Sequence, residues 1–352
     1  MSTPPPLRFA AIGLNHGHIT MQTDILLEAG AQLVSYFAVE PDLAAAYGRQ
    51  YPQAVLARSA EEVLEDPTIQ LIINAGIPCD RAPLGIRVMQ HGKDYMTDKP
   101  GMTTFEQLAE VRRVQVETGR IYSVDFSERF HVRAAVKAGE LIRAGAIGQV
   151  LQVTILAPHH ARLASRPAWF FQREKYGGIL VDIGSHQFDQ VLFYTGSDQA
   201  EVVASQVGNL HHPAHPEFED FGDAVVKGNG GLPEGTYSGG YVRLDWFTPD
   251  GLGTWGDGRL FILGADGYIE VRKYCDIAGR PGGDHLFLVD QCGVQYIDCR
   301  DVALTYGRQL IEDIRNRTET AMTHAHCFLV SELALAAQAK AVRVGNLGRE
   351  TP

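Results

Sequence analysis

No stretch of the chain approaches the ~18 consecutive apolar residues of a membrane-spanning helix, so the sequence offers no transmembrane segment. The start, MSTPPPLRF, lacks the basic region and apolar run of a secretory signal. Cysteine is sparse: Cys79, Cys275, Cys292, Cys299 and Cys327 are odd in number, scattered and without a CxxC pair. That excludes a disulfide framework and a zinc knuckle and reads as reduced thiols, so the expected location is cytoplasmic. Positive charge is also short, 31 Lys and Arg against 42 Asp and Glu, and the net charge of -11 argues against nucleic acid or an anionic membrane as partner. There is no internal repeat and no low-complexity segment beyond three prolines at the start. What remains is a chain of 352 residues, 45% hydrophobic, long enough for two domains.

Residues 7 to about 123 alternate short apolar runs with helical patterns. Strands are expected at Leu7–Ile12, Leu33–Val39, Leu71–Ala75, Tyr95–Thr97 and Ile121–Phe126. Between them, helices are expected at His18–Glu28, ended by Gly30, at Asp42–Gln50, cut off by Pro52, and at Arg81–His91, closed by Gly92. Ser59 with Glu62 and Thr103 with Glu106 read as capping boxes, the second opening a helix to Glu117. Strands alternating with helices imply right-handed crossovers and a doubly wound parallel sheet over 1–123. Beyond residue 124 the pattern changes. A helix at Val132–Ala144 and a strand at Val150–Ile155 precede beta-like runs at 202–207, 237–246, 259–263, 268–272 and 286–289. Helices over Val302–Arg317 and Ala321–Val344 close an expected second domain, 124–352, joined without a flexible linker.

Chemistry concentrates in Tyr176–Asp189, reading YGGILVDIGSHQFD. Asp182 and His186, four residues apart, fall on one face of a helix, where Cβ atoms lie ~5–6 Å apart; Asp189 extends that polar stripe. A carboxylate beside an imidazole fixes its tautomer and suits it to proton transfer. An arbitrary pair of this kind is more often a solvated surface pair. The apolar Ile179–Val181 before it and the mostly apolar Phe188–Tyr194 after it predict burial instead. The Gly177-Gly178 pair allows close backbone approach.

The turn after the first strand reads Gly13-Leu14-Asn15-His16-Gly17-His18, where a dinucleotide fold carries GxGxxG. Only Gly13 is in register; Asn15, the residue best able to replace Gly in a left-handed turn, takes the second place and His18 the third. The motif alone is weak, but its place between a strand and a helix is where backbone N–H groups receive a pyrophosphate. Glu40, just past the second strand, is either the acidic residue that bonds the adenosine ribose or only the start of the next helix. NAD is favoured over NADP because Arg49 is the first arginine to follow. Lys99 ends the fifth strand in Thr97-Asp98-Lys99-Pro100, at the carboxyl edge where ligands of open α/β sheets sit. It can anchor a substrate oxygen, although a lysine at a strand end is usually solvated. Pro100 locks the turn, and such a bond can be cis.

Histidine is plentiful, yet His159-His160, His211-His212 with His215, and His324 with His326 show no metal-ligand spacing, and no metal is expected. His159, Arg162 and Trp169, upstream of the Asp182 helix, are candidates for the substrate pocket, with ordinary packing as the alternative.

Together the turn at Gly13, the Asp98-Lys99-Pro100 sequence, Glu128-Arg129-Phe130 followed by a helix and Gly145-Ala146-Ile147-Gly148, and GGILVDIGSHQFD resemble the Gfo/Idh/MocA family of oxidoreductases over nearly the whole chain. The family commonly has EKP and GGxxxDxGxHxxD; Asp98 replaces the Glu, and Asn15, His18 and Ala38 depart from its cofactor pattern. The resemblance implies a Rossmann domain followed by an α+β domain with a large open, mainly antiparallel sheet, one face of which often builds a homodimer or homotetramer. It implies Lys99, Asp182 and His186 as catalytic residues and cofactor contacts from Gly13, Asn15, His16, His18, Glu40, Lys99, Pro100 and Glu128. Substrate contacts would come from Lys99, His159, Arg162, Trp169 and His186. The implied activity is hydride transfer between nicotinamide and a carbinol carbon of a sugar, cyclitol or glycoside. A lyase or glycosidase using retained NAD, with an extra base such as His159 or Tyr176, and a nucleotide sensor are the alternatives.

Overall fold

The first six strands are β1 (Arg8–Ile12), β2 (Gln32–Phe37), β3 (Val55–Leu56), β4 (Leu71–Asn74), β5 (Asp94–Asp98) and β6 (Tyr122–Asp125). They form one parallel sheet in the order β3-β2-β1-β4-β5-β6, the doubly wound arrangement expected. Strands β4, β5 and β6 are buried at every residue, as a sheet covered on both faces requires. This computed structural model describes residues 5–230, 232–233 and 235–345. Pro4 of the proline run and the outer limits of the two expected domains, 1–4 and 346–352, lie outside that description.

Contacts divide the chain into two compact units, one of residues 1–125 and 305–328 and one of 126–304 and 329–352. The return of 305–328 to the first unit departs from a single boundary near 124. Its reason is packing: helix Tyr306–Asn316 lies against helix His18–Glu28, with Gly307 so close to the Ile25 carbonyl that a Cβ would come within 2.5 Å of it. Arg317 forks onto both oxygens of Asp94 at 2.7 Å each.

The expected caps are present with one shift. Ser59 Oγ accepts from Glu62 N at 3.2 Å. The second box stands one residue late: Thr104 Oγ1 accepts from Gln107 N at 3.2 Å, and Gln107 Oε1 accepts from Thr103 N at 2.8 Å.

The second unit holds a nine-stranded sheet of β7 (Val150–Pro158), β8 (Ala200–Asn209), β9 (Phe221–Gly228), β10 (Ser238–Asp245), β11 (Arg259–Gly264), β12 (Tyr268–Arg272), β13 (His285–Asp290), β14 (Gly293–Asp298) and β15 (Val342–Gly345). Its order is β14-β13-β12-β11-β7-β10-β9-β8-β15, antiparallel except at β7/β10 and β8/β15. Two expected helices are shorter than read. The first runs Tyr306–Asn316, and the last runs His324–Lys340 and gives way to β15, because Val342 and Val344 alternate along a strand paired to β8. Among the described residues no helix is long and apolar enough to cross a membrane.

Candidate active site

In the first unit the turn after β1 is tied to both neighbouring strand ends. Gly13 N donates to Phe37 O at 3.1 Å and His16 N to Ala75 O at 2.8 Å. Gly13 sits at φ +82, and a Cβ there would come within 2.5 Å of Asn74 Nδ2, so only glycine fits. Asn15 does not take the left-handed conformation expected of it; in this turn the positive φ belongs to Gly13 alone. Its amide instead donates to Glu40 Oε1 at 2.7 Å. Glu40 is the residue from which helix Pro41–Gln50 springs, as the second of its two sequence readings has it. The helix at His18 opens with no side-chain cap and no acid in its first turn, which leaves its positive end open to an anion.

His16, His18, Asp98 and Lys99 meet at the end of β5. His18 Nδ1 lies 2.8 Å and His16 Nδ1 3.3 Å from the Asp98 oxygens, and Arg81 Nη2 is 3.1 Å from Asp98 Oδ2. An ionised carboxylate only accepts, so His18 carries a proton on Nδ1. Burial by itself would raise the Asp98 carboxyl; the charges of His18, Arg81 and His16 outweigh it and hold Asp98 well below the usual carboxylate range. Burial, with the charge on His18, holds the His16 imidazole well below its usual range. Lys99, buried, hangs on this cluster by its backbone: its N donates to Asp98 Oδ1 at 2.8 Å and its carbonyl accepts from Arg81. The Lys99–Pro100 bond is cis. Arg81, buried at 1% exposure, is a site residue that the sequence reading missed. His16, His18 and Asp98 also form, among the described residues, the one group with metal-ligand geometry. The Arg81 guanidinium already occupies Asp98, so a cation would have to displace a charge-assisted bond.

In the second unit the YGGILVDIGSHQFD stretch forms two helical pieces, Ile179–Asp182 and Gly184–Thr195. Asp182 and His186 are buried on them, which rules out the solvated pair. The helix start is held by side chains: Ile179 N donates to Glu219 Oε2 at 2.9 Å and Leu180 N to Gln338 Oε1 at 3.0 Å. The preceding Gly178, at φ +98, has no room for a side chain, since a Cβ would stand 2.3 Å from Gln338 Cδ. Asp189 has a structural task, taking both bonds of a buried Arg129 fork at 2.6 and 2.7 Å.

Glu128, expected as a cofactor contact, has other partners. Its Oε2 accepts from Lys273 Nζ at 2.5 Å and from Gln187 Nε2 at 2.8 Å, and its Oε1 faces His159 Nε2 at 3.5 Å. Burial would raise this carboxyl, but Lys273, His186 and His159 outweigh it and hold it well below its usual range. Lys273, two residues before a cysteine in a loop-like stretch, gave no sequence signal. His159 is packed edge-on between Trp246 and Trp255. Trp169 lies half-buried against Phe170. Arg162 takes a left-handed conformation at φ 48 and stands over Trp255. The remaining histidine pairs serve local structure: His212 bonds Asp220 at 2.7 Å and His324 bonds Glu319 at 2.8 Å.

A Rossmann unit with an ion cluster at the carboxyl end of β5, and a mainly antiparallel sheet unit bearing a buried Asp–His helix, define a class of two-unit oxidoreductases. Family profiles agree: "Oxidoreductase family, NAD-binding Rossmann fold" matches residues 7–126 and "GFO/IDH/MocA C-terminal domain" matches 135–270. A crystal structure of a protein from Erwinia carotovora atroseptica is similar at a TM-score of 0.92 and 46% identity, over 96% of this chain and 100% of that one. The chain belongs to the Gfo/Idh/MocA family of oxidoreductases. It is 27% identical over 131 residues to D-xylose dehydrogenase of Paenarthrobacter nicotinovorans, 36% of this chain and 34% of that protein. It is 26% identical over 218 residues to scyllo-inositol 2-dehydrogenase (NAD(+)) of Bacillus subtilis, 62% and 61% of the two chains. The matches thus span less than two thirds of the length of these curated relatives.

Proposed function

We propose that this chain is an NAD(P)-dependent oxidoreductase that moves a hydride between nicotinamide and a carbinol carbon of a sugar, cyclitol or glycoside. The observation that carries this reading is the Asp182–His186 pair, a carboxylate and an imidazole four residues apart and both buried, with the start of the Asp182 helix held by Glu219 and Gln338. His186 takes the hydroxyl proton, Asp182 orients the ring and stabilises its charged form, and Lys99 holds the substrate oxygen. Asp98 and Arg81 position Lys99 through its backbone. The dinucleotide would be held by Gly13, Asn15, His16, His18, Glu40 and Pro100; when bound, its nicotinamide supplies the hydride acceptor or donor. The open helix end and the left-handed Gly13 fit a pyrophosphate, and the Asn15–Glu40 bond supports NAD over NADP. The names of the relatives, a xylose and an inositol dehydrogenase, support the substrate class. A cytoplasmic homodimer or homotetramer built on the open sheet belongs to the same reading.

The lyase or glycosidase reading needs a further base, and its two candidates are occupied. His159 faces the Ala157 carbonyl at 3.0 Å with Nδ1 and Glu128 with Nε2. Tyr176 donates its hydroxyl to Glu217 O and accepts from Glu219 N, each at 3.0 Å. A nucleotide sensor would need nothing of the Asp182–His186 helix.

The test is a panel of sugars, polyols and cyclitols assayed for NAD and NADP reduction, with His186→Ala beside the parent. One substrate class should reduce the cofactor. His186→Ala should lower turnover by ~10²–10⁴ while cofactor affinity and melting stay at parental values. Parental turnover in a normally folded variant would make the imidazole structural and sink the reading.

A further inference from the structure

His186 is buried at 2% exposure, and burial disfavours the imidazolium that a base becomes when it takes a proton. A buried imidazole that works as a base therefore needs negative charge beside it. Asp182 has another claim on its charge: burial pulls the Arg166 guanidinium below its usual range, and Asp182 offsets that pull. A second carboxylate stands in the same unit.

The segment from Phe126 to Arg129 holds helix Gly184–Thr195 at three points. The Phe126 ring meets the His186 ring edge-on, with centroids 6.5 Å apart. Glu128 Oε2 accepts from Gln187 Nε2 at 2.8 Å, and the Arg129 guanidinium forks onto Asp189 at 2.6 and 2.7 Å. These contacts fix Glu128 relative to the imidazole, and their charges act on each other. Of the charges that hold the Glu128 carboxyl below its usual range against burial, His186 ranks directly after Lys273. Such an effect is mutual, so the carboxylate favours the imidazolium as the imidazolium favours the carboxylate.

Lys273 limits the effect. Its ammonium lies 2.5 Å from Glu128 Oε2, the oxygen that Gln187 also bonds. The other oxygen, Oε1, makes no hydrogen bond among the described residues and faces His159 Nε2 at 3.5 Å. The remaining charged groups on the elements packed against this helix are committed elsewhere. Arg129 is spent on Asp189, and on β10 Arg243 Nε stands 3.1 Å from Asp245 Oδ2. On helix Arg133–Arg143, Lys137 pairs with Glu140 at 3.0 Å, Arg133 bonds the Val302 carbonyl and Arg143 stands over Phe193. Strand β7 carries no charged residue.

We propose that Glu128 is a positioning residue for the catalytic base, a second carboxylate that, with Lys273 as its counter-ion, sets how readily His186 takes a proton. This rests on the reading of His186 as the base and adds a residue to its machinery.

The experiment is histidine NMR on the intact protein, labelled in its imidazole rings and titrated across about pH 5–9, where histidine changes charge. The His186 signal is identified by its absence from His186→Ala. Glu128→Gln removes the carboxylate at nearly constant volume. An opposite charge at close range is worth ~1–3, and Lys273, left without its partner, gives up some of its own charge, so the His186 pKa should fall by ~0.5–1. Lys273→Met keeps the carboxylate and removes its counter-ion, so the His186 pKa should rise. A merely structural pair would lower stability in both variants without moving this titration in opposite directions. On the substrate that the sugar and polyol panel finds, the acid limb of kcat should follow the titration, down in Glu128→Gln and up in Lys273→Met. Melting checks that each variant is folded, and either one alone decides the direction. A His186 titration at parental values in a folded variant, or one displaced the same way in both, overturns the proposal. The imidazole is read without turnover, so the two readings fail separately. Opposite displacements with an unmoved kinetic limb would keep Glu128 and remove His186 as the base. A parental titration with His186→Ala inactive would keep the base and remove Glu128.

Discussion

Replacing Lys273 with Met removes the cation against which Glu128 is buried. Both partners are at most 5% exposed and 2.5 Å apart, so the ammonium cannot be replaced by water without opening the packing. Breaking such a pair from one side leaves an uncompensated buried charge, at a cost of ~3–5 kcal/mol. Gln187 and His159 remain beside the carboxylate and place the expected loss toward the lower end. The second unit has about 200 residues, and in domains of that size each kcal/mol moves the melting point by ~2–4 °C. The apparent Tm of Lys273→Met should therefore fall on the order of 10 °C at pH 8. Its pH dependence follows from the sign of the Glu128 shift. In the parent the folded carboxyl lies below its ordinary 4.5, so its stabilisation is present above that value and lost as pH falls through the folded pKa. Without Lys273, burial, the largest influence on this group, pushes the carboxyl upward. The penalty then applies at high pH and is relieved as Glu128 takes up a proton, so the Tm gap between variant and parent should narrow from pH 8 to pH 5. Glu128→Gln on top of Lys273→Met should recover most of the loss. Thermal melting across this pH range decides it: a Lys273→Met Tm within 2 °C of the parent at pH 8, roughly a single kcal/mol, would show that the pair is not the buried charge balance described.

Gly13→Val should weaken NAD and NADP binding at least ~10-fold, because a residue with φ +82 and Asn74 Nδ2 at 2.5 Å from the new Cβ must distort the turn; equilibrium binding measures it, and intact affinity refutes the pyrophosphate role. Asn15→Ala frees the Glu40 carboxylate and should weaken NAD, and Glu40→Ala should do so more strongly while NADP gains ground; equal losses for both cofactors would remove Glu40 from the ribose. Gly178→Ala should destabilise the chain by ~2–4 kcal/mol in urea unfolding, because the methyl displaces Gln338 from Leu180 N and the backbone is left-handed there.

The first unit was largely legible because parallel strands buried on both faces are continuous apolar runs, and Gly30 and Gly92 end their helices at the positive φ that only glycine adopts freely. The second unit was less so, and each missed strand has its own cause. In β9 the buried positions are Gly222, Ala224, Val226 and Gly228, small because a helix presses on them: a Cβ on Gly222 would come within 2.7 Å of Ile179. That face carries too little side chain to register as hydrophobic alternation. β14 is exposed at nearly every residue and exists by its pairing with β13, which sequence does not display. β15 reads as helix because Ala334, Leu335, Ala336 and Ala337 carry a helical pattern up to it.

For the site, residues whose partners lie within a few positions were readable and those joined across the fold were not. Asp182 and His186 lie four positions apart on two consecutive helical pieces, so the sequence alone marked them as neighbours. Lys273 and Glu128 are 145 positions apart and Arg81 and Asp98 are 17 apart, and neither pairing follows any period. The departures from the glycine motif show the same division. Asn15 and His18 looked like imperfect glycines when judged by local backbone preference. In the fold each is chosen for a distant partner, Glu40 for the amide and Asp98 for the imidazole. A turn that gives up two glycines gives up close backbone approach and gains polar side chains fixed by carboxylates.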